Sequence, residues 1–550
     1  MHGPEAGRSE PDASFCTLAG AAPSGVASST KRNGGPVRHT LRIATGVLLA
    51  ATVLTGCTSG SSPDSEGRGA SAAPTGSPSG AHPAQPGTPA GEPDVGVQLF
   101  QWTWDAIAQE CTDVLGPAGY AWVLTSPPQE HIVGPEWWTA YQPVSYRVES
   151  RLGTREEFAA MVSSCEDAGV AVLADAVINH MTGQDAAGTG SAGSTYEHFE
   201  YPGLYSDADG DFHHCGLTPT DDIQQYTDAA QVQTCELLNL ADLATETEHV
   251  RQTVVAYLED LLSLGVAGFR IDAAKHMAAA DVAAIVAQLP EGTRILQEVI
   301  GAAGEPIQPE DYLPSGQVFD FAYGRELASY VGGGTVRKVP DLGTGAGALP
   351  SDQAVVFVQN HDTERNGSTL SYKDGADDVL ATVLMLAGSY GTPVVHSGYA
   401  FRERDTGPVQ DADGAVRDAE CAPASEPDAD VEPGDWLCQH RWPAVAGMVG
   451  WRLAVGDAPQ TVWSERRVLT LDRDGRGFLA VNAGRSPVEQ TFTTTLPPGE
   501  YCDVLSGAPA GESDPACSSG AVEVGQDGTV TVTVPSDGAV ALHVGARPGA

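Results

Sequence analysis

Eight short runs of β-branched and apolar residues recur along the chain: "DVGVQLF", "YAWVLT", "VAVLADAV", "VAGFRID", "RILQEVI", "QVFDFAY", "AVVFVQ" and "TPVVHS". Helical patterns such as "TREEFAAMVSSCEDAG" and "ETEHVRQTVVAYLEDLLSLG" separate most of them. The second pattern places Val250, Val254, Val255, Leu258, Leu261 and Leu262 on one stripe. Eight strands alternating with helices predict a parallel (β/α)8 barrel, a TIM barrel, over 94–180 and 243–452. The stretch 181–242 between the third and fourth strands is too long for a plain loop and reads as an inserted subdomain. After Trp451 alternating strands punctuated by turns predict an antiparallel β-sandwich over 453–550.

The ends of the chain have a different character. Arg38 and Arg42 precede an apolar stretch from Ile43 to Leu54, too short to span a bilayer but matching an export signal. "LTGC" resembles a bacterial lipobox, which implies a leader over 1–57 and a lipid on Cys57; the alternative is an ordinary secretory signal. The Ser, Gly, Pro and Ala tract over 58–93 carries no large apolar residue and reads as a flexible tether. A cell-surface lipoprotein, or otherwise a secreted protein, is therefore expected. Ten cysteines include Cys16, Cys57 and eight in the folded part, an even number that implies disulfides in an exported chain. Spacing alone leaves about 105 pairings. The net charge of -43, with 29 basic against 72 acidic residues, argues against a nucleic-acid partner.

In a parallel barrel the functional face lies where strands end, and side chains two apart share a face. Arg270 and Asp272 in "GVAGFRIDAAKH" therefore both project to the barrel mouth. Arg270 would keep Asp272 ionised as a nucleophile requires, although a structural ion pair explains this motif alone equally well. Other strand ends decide it: Asp175, Asn179 and His180 in "DAVINH", Glu298 in "LQEV", and Asn360, His361 and Asp362 in "VQNHD". Structural pairing rarely brings three such carboxylates, Asp272, Glu298 and Asp362, to one mouth.

These four stretches, in this order and on these strands, resemble the α-amylase family, glycoside hydrolase family thirteen. "LFQWTW", "EWWTAYQPVSYRV", "DAVINHMTG", "GVAGFRIDAAKHM" and "WLCQHRW" are similar to its animal-like branch found in actinobacteria. The resemblance implies endo-hydrolysis of α-1,4-glucosidic bonds in starch, glycogen and maltooligosaccharides with retention, Asp272 being the nucleophile and Glu298 the acid/base. Retention calls for two carboxyl groups about 5 to 5.5 Å apart. Val299 and Ile300 give Glu298 an apolar setting that raises an acid's pKa. Asp362 would bind sugar hydroxyls, with His180 and His361 at the cleavage point and Lys275 lining a neighbouring subsite. Trp137, Trp138, Tyr141, Gln142, Tyr226 and Arg270 complete the implied substrate-binding set.

The resemblance also implies a structural calcium held by Asn179, Asp242 and the backbone carbonyls of Gln233 and His276, oxygen ligands that suit a hard cation. "DADGD" and "DADG" lack the spacing of an EF-hand loop and read as acidic turns. Chloride is not expected: Arg270 and Asn360 are present, but Val394 stands where the branch places a second arginine. The implied disulfides are Cys111 with Cys165, Cys215 with Cys235, Cys421 with Cys438, and Cys502 with Cys517. A monomer acting on an α-glucan is expected. Alternatives are a maltooligosaccharide-forming or transglycosylating relative, or a non-catalytic starch-binding surface protein.

Overall fold

Each of the eight runs contains one strand of a closed parallel barrel: Gly96–Leu99, Trp122–Thr125, Ala171–Ala176, Gly268–Ile271, Arg294–Gln297, Gln317–Phe319, Ala354–Phe357 and Thr392–Ser397. The first strand pairs with the eighth, Gly96 opposite Val394, and closes the ring. The structure is a computed structural model that describes residues 91–345, 347–421, 431–507 and 517–549. The expected leader, the tether as far as residue 90, and Cys57 lie outside the described residues. No helix among the described residues is long and apolar enough to cross a membrane.

Alternation along the strands sorts the side chains into two cores. Trp122, Leu124, Leu173, Leu296, Val355, Phe357 and Val394 pack together inside the barrel. Their neighbours Val123, Val172, Ala354 and Val356 belong to the core formed with the surrounding helices. One of these helices, Arg155–Asp167, begins with a capping box in which Thr154 and Glu157 satisfy each other's backbone N–H groups. Another, Glu248–Ser263, buries Val250, Val254, Val255, Leu258 and Leu261 as the stripe predicts. Leu262 packs half-buried at the edge of the same core, and Tyr257 joins the buried set, stacking on Tyr146 with ring centroids 4.4 Å apart and donating to Gln129 at 3.1 Å.

The stretch after the third strand carries two short hairpins, Gly188–Thr189 with Thr195–Tyr196 and Glu200–Tyr201 with Tyr205–Ser206, and a helix, Ala229–Thr234. At the other end, helix Pro443–Val455 runs past the expected boundary at residue 452, so the barrel's last helix ends before strand Gln460–Glu465 opens the C-terminal sheets. Those sheets are antiparallel and four-stranded, and together form an all-β domain. Trp451, buried on the last helix, donates to the carbonyl of Leu542 at 3.0 Å and ties the two parts together. All four implied disulfides are formed.

Glu110, on the helix after the first strand, fastens the segment that follows the eighth. It accepts from His440 at 2.6 Å and from Arg441 Nε at 2.7 Å, while Tyr120 donates to the His440 carbonyl at 2.9 Å. Burial alone would raise the Glu110 pKa, but these partners outweigh it and hold it at about 2 against an ordinary 4.5. A depressed folded-state pKa contributes stability that is present above 4.5 and lost as pH falls toward 2. The shift corresponds to about 3 kcal/mol. Urea unfolding between pH 6 and pH 3 should therefore show the native chain losing more stability than Glu110→Gln, whose curve is flatter; equal slopes would contradict this assignment.

Candidate active site

Just above the apolar layer inside the barrel, the same inward-facing positions turn polar. Leu173 is followed two residues on by Asp175, Leu296 by Glu298 and Val394 by His396, while the fourth strand offers Arg270 and then Asp272. Arg270, buried, lies 2.5 Å from Asp175 and 2.9 Å from Asp272 through Nη1, and its Nη2 forms an ion pair with Glu298 at 3.0 Å. Tyr141 donates to the other Asp175 oxygen at 2.9 Å. One guanidinium fork thus contacts three carboxylates.

Beyond Asp272 the backbone turns through a left-handed residue, Ala273, with φ 49°. That conformation is uncommon for a residue with a Cβ, and here it aims the Ala273 N–H at Glu298 Oε2, 2.9 Å away. The fourth and fifth strands approach closely because Gly268 lacks a side chain: a Cβ there would meet the Arg294 carbonyl at 2.1 Å.

Burial raises all four carboxyl pKa values. Asp175 rises to about 7, with Arg270 opposing, and Asp362 to about 8, burial being reinforced by the charge of Glu298. Asp272 is pushed up by burial and drawn back by Arg270. Glu298 is pushed up by burial, drawn back by Arg270 and raised again by Asp272. Such a crowd of carboxyls around one cation holds a proton near neutrality, the condition for pairing an acid with a carboxylate. Asp362 has the most open side chain of the three expected catalytic groups, 27% exposed against 11% for Asp272 and 9% for Glu298.

The two expected histidines are buried and neutral. Burial lowers His180 to about 4, and its Nε2 donates to the Tyr141 carbonyl at 3.0 Å. Burial and Arg270 take His361 well below its ordinary value. Its ring stacks on Tyr141 at 5.1 Å, and its Nε2 lies 3.3 Å from Asp362. Trp137 is buried and donates to the Arg404 carbonyl at 2.9 Å, whereas Trp138 is half-buried. The Gln142 side-chain oxygen accepts from Thr182 and the Gly183 N–H at 2.9 and 3.1 Å, tying this loop to the insertion. Lys275 is buried, bonded to Glu305 at 2.5 Å and the Ile300 carbonyl at 2.6 Å, with its ammonium 5.0 Å from the centre of the half-buried Tyr226 ring.

Two supports escape sequence reasoning. Glu305 is one. The other is Arg151, a buried guanidinium with no carboxylate in ion-pair range among the described residues. It donates to Gln101 Oε1 at 2.7 Å, to the carbonyls of Gly134, Glu136 and Trp137 at 3.2, 3.0 and 3.1 Å, and to Thr139 at 2.9 Å. Burial lowers its pKa to about 10. The aromatic loop is wound on this one side chain, and only the isolated "YRVESR" hints at it.

Of the residues expected to hold calcium, Asn179 and Asp242 are in contact. Asn179 lies 3.3 Å from Asp242, both buried, and His276 Nδ1 contacts the Val232 carbonyl at 3.0 Å beside Gln233. The carbonyl oxygens of Gln233 and His276 accept no hydrogen bond from any described residue. Two unclaimed carbonyls, together with an amide and a carboxylate, are oxygen donors of the kind that suits a hard cation. The other Asp242 oxygen contacts His213 Nδ1 at 2.7 Å, a second-layer contact of the kind that orients a ligand. Val394 lines a small cavity with Arg270 and Asn360 and brings it no donor.

Comparison with known proteins places this geometry in context. Residues 125–307 match the family model described as alpha amylase, catalytic domain, and residues 463–545 match alpha amylase, C-terminal all-beta domain. An alpha-amylase of Streptomyces violaceus is 44% identical over 461 residues, covering 83% of this chain and 75% of that protein. One from Thermomonospora curvata is 44% identical over 479 residues, covering 84% and 75%. The crystal structure of a mutant of alpha-amylase I from Eisenia fetida with maltohexaose superimposes with TM-score 0.76 at 32% identity, covering 83% of this chain and 99% of that one. The barrel, its C-terminal all-β domain and this extent of identity establish that the chain belongs to the α-amylase family of glycoside hydrolases.

Proposed function

We propose that this chain is an exported α-amylase that cleaves internal α-1,4-glucosidic bonds of starch, glycogen and maltooligosaccharides with retention of configuration. The observation that carries the reading is the Arg270 fork, which contacts Asp272 and Glu298 at once while the Ala273 N–H fixes Glu298 from the side. Two carboxyls gathered on one guanidinium suit the short separation of a retaining pair. Asp272, in hydrogen bond with Arg270, attacks the anomeric carbon; Glu298 gives its proton to the departing oxygen. A water oxygen then bonds to the anomeric carbon as Glu298, now a carboxylate, takes its proton and the ester bond to Asp272 breaks, freeing the Asp272 carboxylate. Asp362 holds sugar hydroxyls and stabilises the oxocarbenium-like transition state, with neutral His361 as a hydrogen-bond donor, while His180, beside the cleavage point, commits its one N–H to the Tyr141 carbonyl. The maltohexaose complex of the earthworm relative supports a cleft that takes several sugar units.

Asn179, Asp242 and the carbonyls of Gln233 and His276 would hold the calcium, which supplies charge neutralisation to the insertion and performs no step of the reaction. The four disulfides support an extracellular location, with lipidation at Cys57 as the anchor.

Asp272→Asn should fold normally and release reducing ends from soluble starch at least about 10³-fold more slowly than the native chain. Equal, background-level activity in both would sink the enzyme reading in favour of a starch-binding protein. Proton NMR of fresh native digests should show the α-anomer first, and chromatography an early ladder of mixed oligomers; a single dominant product would point to an exo-acting relative. Saturating calcium at about 100 times its Kd should stabilise the native chain by roughly 2.7 kcal/mol. Chelation should lower Tm correspondingly, and Asp242→Ala should abolish the response. Arg151→Met should raise KM for maltooligosaccharides about tenfold with a smaller change in kcat, because it loosens the aromatic loop and leaves the carboxyls in place; a loss confined to kcat would contradict this role.

A further inference from the structure

Gln98 and His396 face each other in register where the first and eighth strands close the barrel. Both are buried, and neither belongs to the catalytic set above. His396 Nδ1 lies 2.9 Å from Gln98 Oε1, and Gln98 Nε2 lies 3.2 Å from His361 Nδ1. On the far side His396 Nε2 makes an ion-pair contact with Glu364 Oε1 at 3.3 Å, and Glu364 is also bonded to Arg365. The result is a buried chain running from Glu364 through His396 and Gln98 to His361 and Asp362.

The chain has a direction. An ionised carboxylate only accepts hydrogen bonds. Burial would raise the Glu364 pKa, but His396 and Arg365 outweigh it and hold this carboxyl below its ordinary range. Nδ1 of His396 faces the Gln98 amide oxygen, an acceptor, and so carries a proton. A protonated Nδ1 requires the oxygen end of the Gln98 amide, which turns the NH2 end toward His361. Nδ1 of His361 must then accept, so the single proton of this neutral ring sits on Nε2, facing Asp362 3.3 Å away. The opposite tautomer would set an N–H against the Gln98 NH2 group.

We propose that Gln98 and His396 are positioning residues: by hydrogen-bond polarity they fix His361 as the Nε2–H tautomer, so that it donates toward Asp362 and the sugar bound there. This rests on the reading of His361 and Asp362 as sugar-binding groups.

Nitrogen-15 NMR of the histidine-labelled full chain at neutral pH tests the first half without reference to activity. His361 should show an unprotonated Nδ1 and a protonated Nε2, and His396 a protonated Nδ1. Gln98→Glu keeps the shape but presents acceptors to both rings, and should move the His361 proton to Nδ1. Gln98→Met removes both bonds and should leave a mixture of tautomers. In each variant kcat/KM for maltooligosaccharides should fall about 3- to 10-fold, the scale of one net hydrogen bond, while the additional loss caused by His361→Ala shrinks. A native His361 protonated at Nδ1, or a tautomer unchanged in both variants, would overturn the relay. Shifted tautomers with unchanged kcat and KM would instead overturn the sugar-binding reading of His361. The native spectrum decides the tautomer even where a variant fails to fold.

Discussion

Everything at the barrel mouth depends on burying one guanidinium. Arg270 sits where the neighbouring strands present Leu173 and Leu296 to the same interior, so its charge is taken out of water by apolar packing below it. A buried cation without partners is strongly unfavourable, and Asp175, Asp272 and Glu298 provide them. The dependence is mutual, since burial alone raises the pKa of each of those carboxyls and Arg270 opposes the rise. The cation sets which carboxyls stay ionised, and the surplus of acids over cations leaves a proton to share.

The surroundings hold their loops with buried cations in two different ways. Arg151 donates to neutral oxygens and so organises the aromatic loop without an ion pair among the described residues. Lys275 uses a full ion pair with Glu305 and the Ile300 carbonyl, linking the turn after the fourth strand to the segment after the fifth.

Strand composition made the barrel legible, because each buried strand is a short apolar run and the ends of those runs name the mouth. Asp175, Asp272 and Glu298 follow from the same two-residue periodicity that builds the inner apolar layer. The supports are hidden for a physical reason: their contacts cross long stretches of chain. Gln98 meets His396 across 298 residues and His361 across 263, at a seam that exists only once the barrel closes. Glu110 reaches Arg441 across 331. Disulfide pairing was likewise unreadable from spacing and came from family resemblance. The helix stripe missed one position, Tyr257, which is buried because an aromatic partner, Tyr146, awaits it.

The proposed calcium site and the proposed acid are joined by one short turn. Asp272 ends the fourth strand's inward face, Ala273 takes the left-handed conformation that points its N–H at Glu298, and His276, whose carbonyl is a proposed calcium ligand, follows three residues later. A single residue in that conformation is strained unless its surroundings hold it. On one side the hold is the Glu298 carboxylate; on the other it is the packing of His276 against Val232, a contact that calcium between the Gln233 and His276 carbonyls would reinforce. A metal there would act on catalysis through the backbone, by keeping the Ala273 N–H aimed at Glu298. Its influence would thus fall on the placement of the acid, and the charge of Asp272 would remain under the control of Arg270.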